Sequence, residues 1–387
     1  MRARTTFLRG LAVLLILGGL GALAPAQASR VATGTAALPT LAARPPYVPP
    51  IGHVFVINFE NKGYQKTWGD HSAAPYLSRT LRAKGVLLNR FYATAHNSLP
   101  NYLAQISGQA PNLATQTDCQ SFSAFTSTGP DQDGQAVGSG CVYPESVPTL
   151  PRQLTDNGLT WRGYMQQMGG RCQHPEIGAI DPTQHATKRH NYAARHNPFV
   201  YFASIIGDAP YCRSHVRQLW WLKRDLRHTR TTPNLSYITP DLCRDGHDEP
   251  CVGGQKGGLA MVDRFLMRWV PRILDSRAFR KDGVLIITAD ESDSPAVDST
   301  ACCNEQPGPN PLLGSGPGIA GPGGGRIGAL VISQWSRHGT WSTTPYNHYA
   351  LLGSLEDIFS LPRLGMAGQA GLDVFGLDVY NKPFLIS

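Results

Sequence analysis

Charged residues are scarce in this chain. Asp, Glu, Lys and Arg make up only 16% of the 387 residues, whereas hydrophobic residues make up 41%, and this balance excludes a disordered chain or a coiled coil. The sequence also lacks internal repeats and, beyond its N-terminal segment, any apolar run of the roughly 20 residues needed to span a membrane. Its 41 Gly and 30 Pro residues indicate long irregular loops between short core elements.

The N-terminal segment has the pattern of a secretory signal peptide. Three arginines lie among the first nine residues, an apolar run covers 10–24, and Ala-Gln-Ala at 26–28 gives a small-residue cleavage site. We therefore expect residues 1–28 to be cleaved on secretion, residues 29–50 to form an extension, and residues 51–387 to form a single domain. A retained membrane anchor is the alternative, although the apolar run is shorter than the roughly 20 residues that a bilayer requires.

The net charge of the chain is positive. Removing residues 1–28 takes away three arginines and no acid, so the formal net charge falls from +8 to +5. A positive field attracts anions such as phosphate esters or acidic lipid surfaces. The basic residues are scattered, however, and no helix combines a basic stripe with aromatic residues. Nucleic acid is therefore not an expected partner, and a solvated surface is the simpler interpretation.

The eight cysteines of an exported chain predict disulfides. Only Cys243 and Cys251 suggest a local pair by their spacing. Together with His247 they could instead bind zinc, but thiols in an oxidising compartment usually pair with each other. The adjacent Cys302 and Cys303 are each expected to pair elsewhere.

Hydrophobic periodicity predicts an α/β fold. Short, continuously apolar segments alternate with helical patterns, which favours a mainly parallel central sheet covered by helices on both faces, a three-layer α/β/α sandwich. No linker divides the chain into two domains. The predicted strands are His53–Phe59, Val86–Thr94, Leu235–Thr239, Val284–Thr288 and Ile327–Ser333, and the predicted helices are Pro100–Ser107, Leu150–Asn157, Gly258–Leu274 and Asn347–Phe359.

Acidic clusters follow three of these strands. In an open parallel sheet the carboxyl ends of the strands form one crevice, so these clusters are expected to converge there. Adjacent carboxylates repel each other unless a cation or protons intervene, and oxygen ligands favour Mg, Ca or Mn, with Zn or Fe if histidine joins. Each acid alone could equally be a helix N-cap or part of a surface salt bridge. The clusters are Glu60-Asn61, Asp241 with Asp245, His247 and Asp248, and Asp290-Glu291.

Ser98 is a candidate nucleophile. Pro100 fits the first turn of a helix, which would place Ser98 at the helix N-terminus, where free backbone N–H groups favour anions. A serine in that setting is most often only an N-cap, and the nearby acidic clusters are what favour a catalytic role.

Five blocks of the sequence, in order, resemble the bacterial phosphoesterase family that contains secreted acid phosphatases and non-specific phospholipases C, within the alkaline phosphatase-like superfamily. The resemblance implies an alkaline phosphatase-like fold for residues 51–387. The blocks are HVFVINFENKGYQKTWG (53–69), AHNSLPNYLAQISG (95–108), SYITPDLCRDGHD (236–248), VLIITADESD (284–293) and NHYALLGSLEDIFSLPRLGMA (347–367).

The resemblance also implies roles for individual residues. It makes Ser98 the nucleophile, and it makes His247 and His348 the groups that protonate the leaving group or complete a second metal site. The implied ligands of a divalent metal, whose identity stays open, are Glu60, Asn61, Asp290 and Glu291, and the implied substrate-binding residues are His96, Asn101, Asp245 and Asp248.

The sequence thus predicts a secreted, metal-dependent phosphoric ester hydrolase. A phosphomonoesterase of acid phosphatase type with a phosphoseryl intermediate is the main hypothesis, with a small phosphate ester or a phospholipid headgroup, phosphoinositides included, as substrate. A phospholipase C acting on diesters is the first alternative. A serine esterase is another, but the chain has no Gly-x-Ser-x-Gly elbow. A non-catalytic, secreted anion-binding protein is the third. The oligomeric state stays open.

Overall fold

A computed structural model of the protein describes Pro45, 47–312, 314, 316–319 and 321–382. The predicted signal peptide at 1–28 lies outside the described residues, as does most of the predicted extension at 29–50, so both boundaries stay predictions. Among the described residues, no helix combines the length and the apolar character required to cross a bilayer.

The strands are short and mostly buried. In chain order they are β1 His53–Phe59, β2 Val86–Leu88, β3 Phe91–Tyr92, β4 Thr126–Ser127, β5 Gly138–Ser139, β6 Trp161–Met165, β7 Val216–Gln218, β8 Leu235–Thr239, β9 Gly283–Ala289, β10 Ala329–Ser333, β11 Thr340–Ser342 and β12 Tyr346–Asn347.

Eight of these strands form the central sheet, in the order β11-β2-β10-β9-β1-β8-β6-β7. The central strand β1 runs parallel to both neighbours, with Val56 opposite Ile286 of β9 and Tyr237 of β8. Every residue of β1, β8 and β9 is buried, as expected for parallel strands covered on both faces. The predicted mainly parallel sheet is confirmed, with β10 as its one antiparallel member.

One predicted strand is divided in the structure. The segment Val86–Thr94 turns at Asn89 and Arg90, so that β2 belongs to the central sheet and β3 pairs with β12 in a separate small sheet. The Asn89 N–H still donates to Ser342 O of β11 at 3.1 Å, whereas the next carbonyl, Arg90 O, accepts from Tyr346 N of β12 at 3.0 Å. The chain therefore passes from one sheet to the other at this turn. A further two-stranded sheet joins β4 to β5.

The α-helices vary widely in length, and the four predicted ones are confirmed to within two residues. They are α1 Tyr64–Trp68, α2 Ser98–Ser107, α3 Leu150–Asp156, α4 Ala203–Ile206, α5 Ala209–His215, α6 Trp220–Asp225, α7 Gly258–Leu274, α8 Arg277–Asp282 and α9 His348–Phe359. A π-helical turn at Tyr76–Leu81 and 3₁₀ turns at Arg82–Lys84, Thr115–Thr117, Ala194–His196, Pro198–Tyr201, Thr229–Thr231, Val252–Gly254 and Gly365–Gly368 complete the set.

Helices cover both faces of the sheet. On one face, Asn58 of β1 and Tyr237 of β8 both donate to Gln105 Oε1 of α2, each at 2.9 Å. On the other face, the Phe55 ring lies 6.3 Å from that of Phe279 in α8. Residues 55 and 58 differ by an odd number and so point to opposite faces of the strand. The predicted three-layer α/β/α sandwich is confirmed.

All eight cysteines are paired, as Cys119–Cys141, Cys172–Cys212, Cys243–Cys251 and Cys302–Cys303. The predicted local pair of Cys243 with Cys251 is confirmed, and because its thiols are bonded to each other the zinc alternative is excluded. The expectation that Cys302 and Cys303 each pair elsewhere is wrong. The other six cysteines are bonded among themselves, so these two neighbours are left for each other.

Candidate active site

The ends of the parallel strands bring the acidic clusters together. Glu60 follows β1 directly and Asp290 follows β9. The loops are joined through their backbones: Asp290 N donates to Phe59 O at 2.9 Å, and Glu60 N donates to Asp245 O at 2.7 Å. Side chains more than 200 positions apart in the sequence therefore share one buried crevice.

Ser98 begins α2 and points into this crevice. The residue is 2% exposed, and its hydroxyl donates to Glu60 Oε2 at 2.9 Å. One helical turn later, the Tyr102 hydroxyl donates to Glu60 Oε1. Both oxygens of Glu60 are thus held by groups on the same face of α2, as the i, i+4 spacing of Ser98 and Tyr102 requires.

The backbone before Ser98 is strained. Asn97 has φ 72° and ψ 139°, a combination that residues with a Cβ rarely adopt. Asn101 holds this turn from inside: its Oδ1 accepts from the backbone N–H groups of Thr94 and Ala95, each at 3.0 Å, and its Nδ2 donates to Ala95 O and Asn97 O. The amide of Asn101 is therefore engaged with its own loop, and a role for it in substrate binding stays a prediction.

The other predicted metal ligands are hydrogen-bonded to one another. The Asn61 backbone N–H donates to Asp290 Oδ1 at 2.9 Å, and Asn61 Nδ2 donates to Glu291 Oε1 at 2.9 Å. The second Glu291 oxygen is 2.5 Å from His96 Nδ1, while His96 Nε2 is 3.0 Å from Asp298 O. Both nitrogens of His96 face acceptors, so His96 and Glu291 must share at least one proton beyond that of a neutral imidazole.

His196, which the sequence did not single out, stands between two acids. Its Nε2 is 3.3 Å from Glu60 Oε2 and its Nδ1 is 3.2 Å from Asp245 Oδ2. Its ring stacks on that of Tyr102, with centroids 5.5 Å apart. Burial lowers the pKa of His196 well below its usual value, and the charges of Arg195 and His247 add to this effect.

Burial dominates the electrostatics of the crevice. The side chains of Glu60, Asp245 and Asp290 are fully buried and that of Glu291 is 5% exposed. Removal from water raises the pKa of each of these carboxyl groups, and for Glu60 the charges of Asp290 and Asp245 raise the pKa further. Among the described residues, no Lys or Arg forms an ion pair with any of the four. The nearby Lys62 donates instead to Gly246 O at 2.8 Å.

Several polar atoms of the crevice have no hydrogen-bond partner among the described residues. They are Asn61 Oδ1, Asp245 Oδ2, Asp290 Oδ2 and both ring nitrogens of His196, whose contacts with Glu60 and Asp245 do not have hydrogen-bond geometry. Buried polar atoms are otherwise almost always paired. Glu60, His196 and Asp245 each offer a ligand atom within 4.8 Å of the others. Carboxylate, amide and imidazole donors in one buried, anionic crevice could hold a divalent metal ion, so the residues fit the predicted cofactor.

His348, predicted to act on the leaving group, lies beneath the crevice and is fully buried. Its Nε2 is 2.6 Å from the Asp290 backbone oxygen, and its Nδ1 is 3.2 Å from Gln105 Nε2. Because an amide NH₂ can only donate and a carbonyl can only accept, Nδ1 accepts from Gln105 and Nε2–H donates to Asp290. His348 thus fixes the start of the loop that carries Asp290 and Glu291.

We expect His348→Asn to change the pH dependence of stability. Burial lowers the pKa of His348 to about 4, whereas the unfolded chain has a value of about 6.5. Below pH 6.5 the unfolded chain binds a proton that the folded chain does not, so this group costs roughly 3 kcal/mol of stability between about pH 6.5 and 4. Denaturant unfolding of the chelated protein across this range should therefore give a steeper acid loss for the wild type than for the variant.

His71→Asn is the matched control for that measurement, because His71 is exposed. Its stability curve should follow that of the wild type at every pH. Parallel curves for the wild type and His348→Asn would contradict the assignment of His348 as a neutral, buried hydrogen-bond donor.

His247 and Asp248 lie at the rim. The His247 backbone N–H donates to Asp245 Oδ1 at 2.8 Å, and His247 Nδ1 is 2.7 Å from Asp248 Oδ1. The guanidinium of Arg195 approaches His247 Nε2 at 3.1 Å, and about a third of the His247 side chain is exposed. The predicted site residues therefore lie close together in space. Asn101 and His348 lie behind the crevice and support it. The chemical roles of all these residues stay predictions.

Sequence reasoning missed His196, Arg195, Asp118 and Tyr102. The Asp118 carboxylate accepts from Leu99 N at 2.9 Å and lies 3.9 Å from Arg195 Nε. Tyr102 could have been predicted, because it lies one helical turn after Ser98 in the sequence block 95–108. The other three come from 111–233, where no spacing or motif distinguishes them.

Comparison with known proteins places this chain in a family. The sequence profile described as Phosphoesterase family matches residues 70–362. The fold is similar to the crystal structure of a Vibrio parahaemolyticus protein in the alkaline phosphatase superfamily, with a TM-score of 0.50 and 13% identity over 92% of this chain and 76% of that one.

Several curated proteins are similar in sequence. An acid phosphatase of Aspergillus fumigatus is 22% identical over 80% of this chain and 55% of its own length. A phosphate-repressible acid phosphatase of Penicillium chrysogenum is 26% identical over 74% and 54%. A phosphatidylinositol-3-phosphatase of Mycobacterium tuberculosis is 24% identical over 95% and 94%. The chain spans little more than half the length of the fungal relatives. Since the family profile covers most of the chain, the protein belongs to the Phosphoesterase family.

Proposed function

We propose that the protein is a secreted, metal-dependent hydrolase of phosphoric esters, most active on phosphomonoesters. The observation that carries this proposal is the Ser98 hydroxyl, 2.9 Å from Glu60 Oε2 at the start of a helix and beside unpaired ligand atoms. A serine used only as an N-cap would bond to the N–H groups of its own helix, whereas Ser98 is the first helical residue and bonds to Glu60, the residue that follows β1. Membership of the family supports the same chemistry.

The donor atoms at the centre of the crevice support a metal site there. Glu60, Asn61, Asp290 and Glu291 would hold it, with Asp245 and His196 as the further ligands that the geometry adds. When bound, a divalent ion neutralises the buried carboxylates, lowers the pKa of the serine hydroxyl and offsets charge on the phosphoryl oxygens.

The reaction itself is carried by Ser98. Its Oγ attacks phosphorus in line, a bond from Oγ to phosphorus forms, and the ester bond to the leaving alcohol breaks. Glu60 Oε2, which already accepts the hydrogen bond of the Ser98 hydroxyl, can accept the serine proton. Water then attacks the phosphoserine, releasing phosphate and restoring the hydroxyl.

The two histidines take different parts in this proposal. His247 is the candidate proton donor, since Asp248 orients its Nδ1 and its Nε2 faces the rim. For His247 Nε2 to donate a proton, the Arg195 guanidinium that contacts this nitrogen must move away from it. An incoming phosphate would attract the guanidinium. His348 has both nitrogens engaged beneath the crevice and serves as a positioning residue for Asp290.

The similar proteins support the proposed substrate class, and the cysteines support the proposed location. The relatives are named as acid phosphatases and as a phosphatidylinositol-3-phosphatase, which supports a phosphomonoester, such as a phosphoinositide headgroup, as the substrate. Four disulfides support an oxidising, extracellular compartment.

Chelation followed by metal restoration tests the proposal. Extensive dialysis against EDTA should abolish phosphate release from a generic aryl phosphate, and restoring one of Mg, Ca, Mn, Zn or Fe should recover it. Phosphatidylcholine, a diester, should be turned over far more slowly than the aryl phosphate and than phosphatidylinositol 3-phosphate. Full turnover by protein that elemental analysis shows to be free of metal would overturn the metal dependence.

A further inference from the structure

A second cavity lies at the far end of the sheet. Its volume is about 490 Å³, within the range of small-molecule sites. Residues at the amino ends of β6 and β8 contribute to its wall, whereas the candidate active site follows the carboxyl ends of β1, β8 and β9. The two sites are therefore separated by the length of the strands and can be tested independently.

The charges of this cavity are unbalanced. Four arginines line it, Arg162, Arg217, Arg224 and Arg230, together with His215. Among the described residues that line it, Asp225 is the only acid, and its Oδ2 is taken by Arg162 Nη1 at 2.6 Å and by the Tyr164 hydroxyl at 2.8 Å. Three guanidinium groups therefore remain without a counter-charge.

The free arginines keep their hydrogen-bond donors available. In the described part of the chain, the side chains of Arg224 and Arg230 have no hydrogen-bond or ion-pair partner, and Arg217 uses only Nε, which donates to Ser214 O at 2.7 Å. The guanidinium carbons of Arg217 and Arg224 lie 4.8 and 5.2 Å from the centre of the Trp221 ring. This contact holds the two side chains beside the cavity at little cost in entropy.

Like charges are crowded around Arg217. Burial lowers the pKa of the Arg217 guanidinium and the charge of Arg162 lowers the pKa further, whereas the charge of Asp225 raises it. Cations that repel one another in a concave wall gain free energy when an anion enters. Guanidinium groups bind phosphate and sulfate oxygens in a bidentate manner, and three such groups match a ligand with more than one anionic group.

We propose that the cavity bounded by Arg162, Arg217, Arg224, Arg230 and Trp221 is a binding site for a compact polyanion carrying two or more phosphate or sulfate groups. Such a ligand is either a free small molecule or the headgroup of a multiply phosphorylated lipid. This site is distinct from the crevice of Ser98 and does not depend on the proposed catalytic function.

Calorimetric titration with inositol hexasulfate tests this site, because the probe is not a phosphate ester and cannot be hydrolysed by the chemistry proposed above. At low ionic strength, with EDTA present, the full chain should bind one equivalent, and the affinity should fall with salt. Arg217→Gln/Arg224→Gln should weaken binding at least about ten-fold. Arg277→Gln/Arg280→Gln on α8 removes the same charge from two exposed arginines and should bind like the wild type.

A second arm identifies the source of the ligand. Phosphatidylcholine vesicles containing a phosphatidylinositol bisphosphate should retain the wild type but not the Arg217/Arg224 variant if a lipid headgroup is the natural occupant, and retention of neither protein assigns a free polyanion. Turnover of an aryl phosphate should be the same in all variants. Absence of binding to inositol hexasulfate, or an equal loss in both double variants, overturns the proposal whether or not the protein is a phosphatase.

Discussion

Replacing Ser98 by alanine should lower kcat for a generic aryl phosphate by at least about a thousand-fold, because the variant has no group to attack phosphorus. The fold should be unaffected, since only one buried oxygen and its bond to Glu60 are lost. Metal content should remain near that of the wild type, because the carboxylate, amide and imidazole donors are all present. Phosphate release and elemental analysis on the same preparation measure both quantities.

The control for Ser98→Ala is Ser127→Ala, an exposed serine of β4, which should keep full activity. Wild-type protein quenched with acid during turnover should carry phosphate on the peptide that contains residue 98, and the alanine variant should carry none. Unchanged turnover in Ser98→Ala would remove the covalent mechanism and leave the hydroxyl as a structural group.

Replacing Glu60 by glutamine should have the second-largest effect. Glu60 connects Ser98, Tyr102 and His196, so loss of its charge should weaken metal binding and lower kcat at least about a hundred-fold. In the chelated protein, however, the free energy of unfolding should not fall. The substitution removes one of several buried, mutually repelling carboxylates, and the glutamine oxygen can still accept a hydrogen bond from the Ser98 hydroxyl.

Glu356→Gln is the matched control, because Glu356 is also fully buried but pairs with Arg363 at 3.6 Å, away from the crevice. Its metal content per folded molecule should equal that of the wild type. If Glu60→Gln retains full metal content and turnover, then Glu60 serves only to hold α2, and the ligand assignment must be revised.

The centre of the fold was predictable from local patterns. Strands β1, β8 and β9 are buried on both faces, so apolar residues follow one another in them, as at 54–57 and 284–287, instead of alternating with polar residues. Helix α7 matched its predicted bounds because its apolar residues recur with the helical period. Strands β6, β7 and β11 were missed because they are short edge or near-edge strands whose register depends on partners distant in sequence.

The candidate site was predictable to the extent that it follows these strands. Glu60, Asp245 and Asp290 come directly after or soon after buried strands, so the topology alone brings them together. Ser98 was identified from the proline of the following helix turn. His348 was predicted to act on the leaving group and lies beneath the crevice, because sequence cannot tell a side chain that faces a crevice from one that lies beneath it.

His196 was not predictable for a different reason. It lies on a 3₁₀ turn, Ala194–His196, in a long irregular segment where neither helical nor strand period restricts the side-chain direction. Its place between Glu60 and Asp245 depends on the packing of the whole segment against α2, through the stacking of Tyr102. Arg195 and Asp118 were not predictable for the same reason, because their contact with each other depends on how two loops pack together.

The crevice draws its side chains from widely separated parts of the polypeptide, from position 60 to position 348, and backbone bonds such as Glu60 N to Asp245 O join the loops. A truncated or partly refolded chain can keep its helical circular dichroism and still lack the assembled centre, because contacts of such high sequence separation form at the greatest entropic cost. Recovery of catalysis during renaturation is therefore a stricter gauge of native topology than any measure of secondary structure.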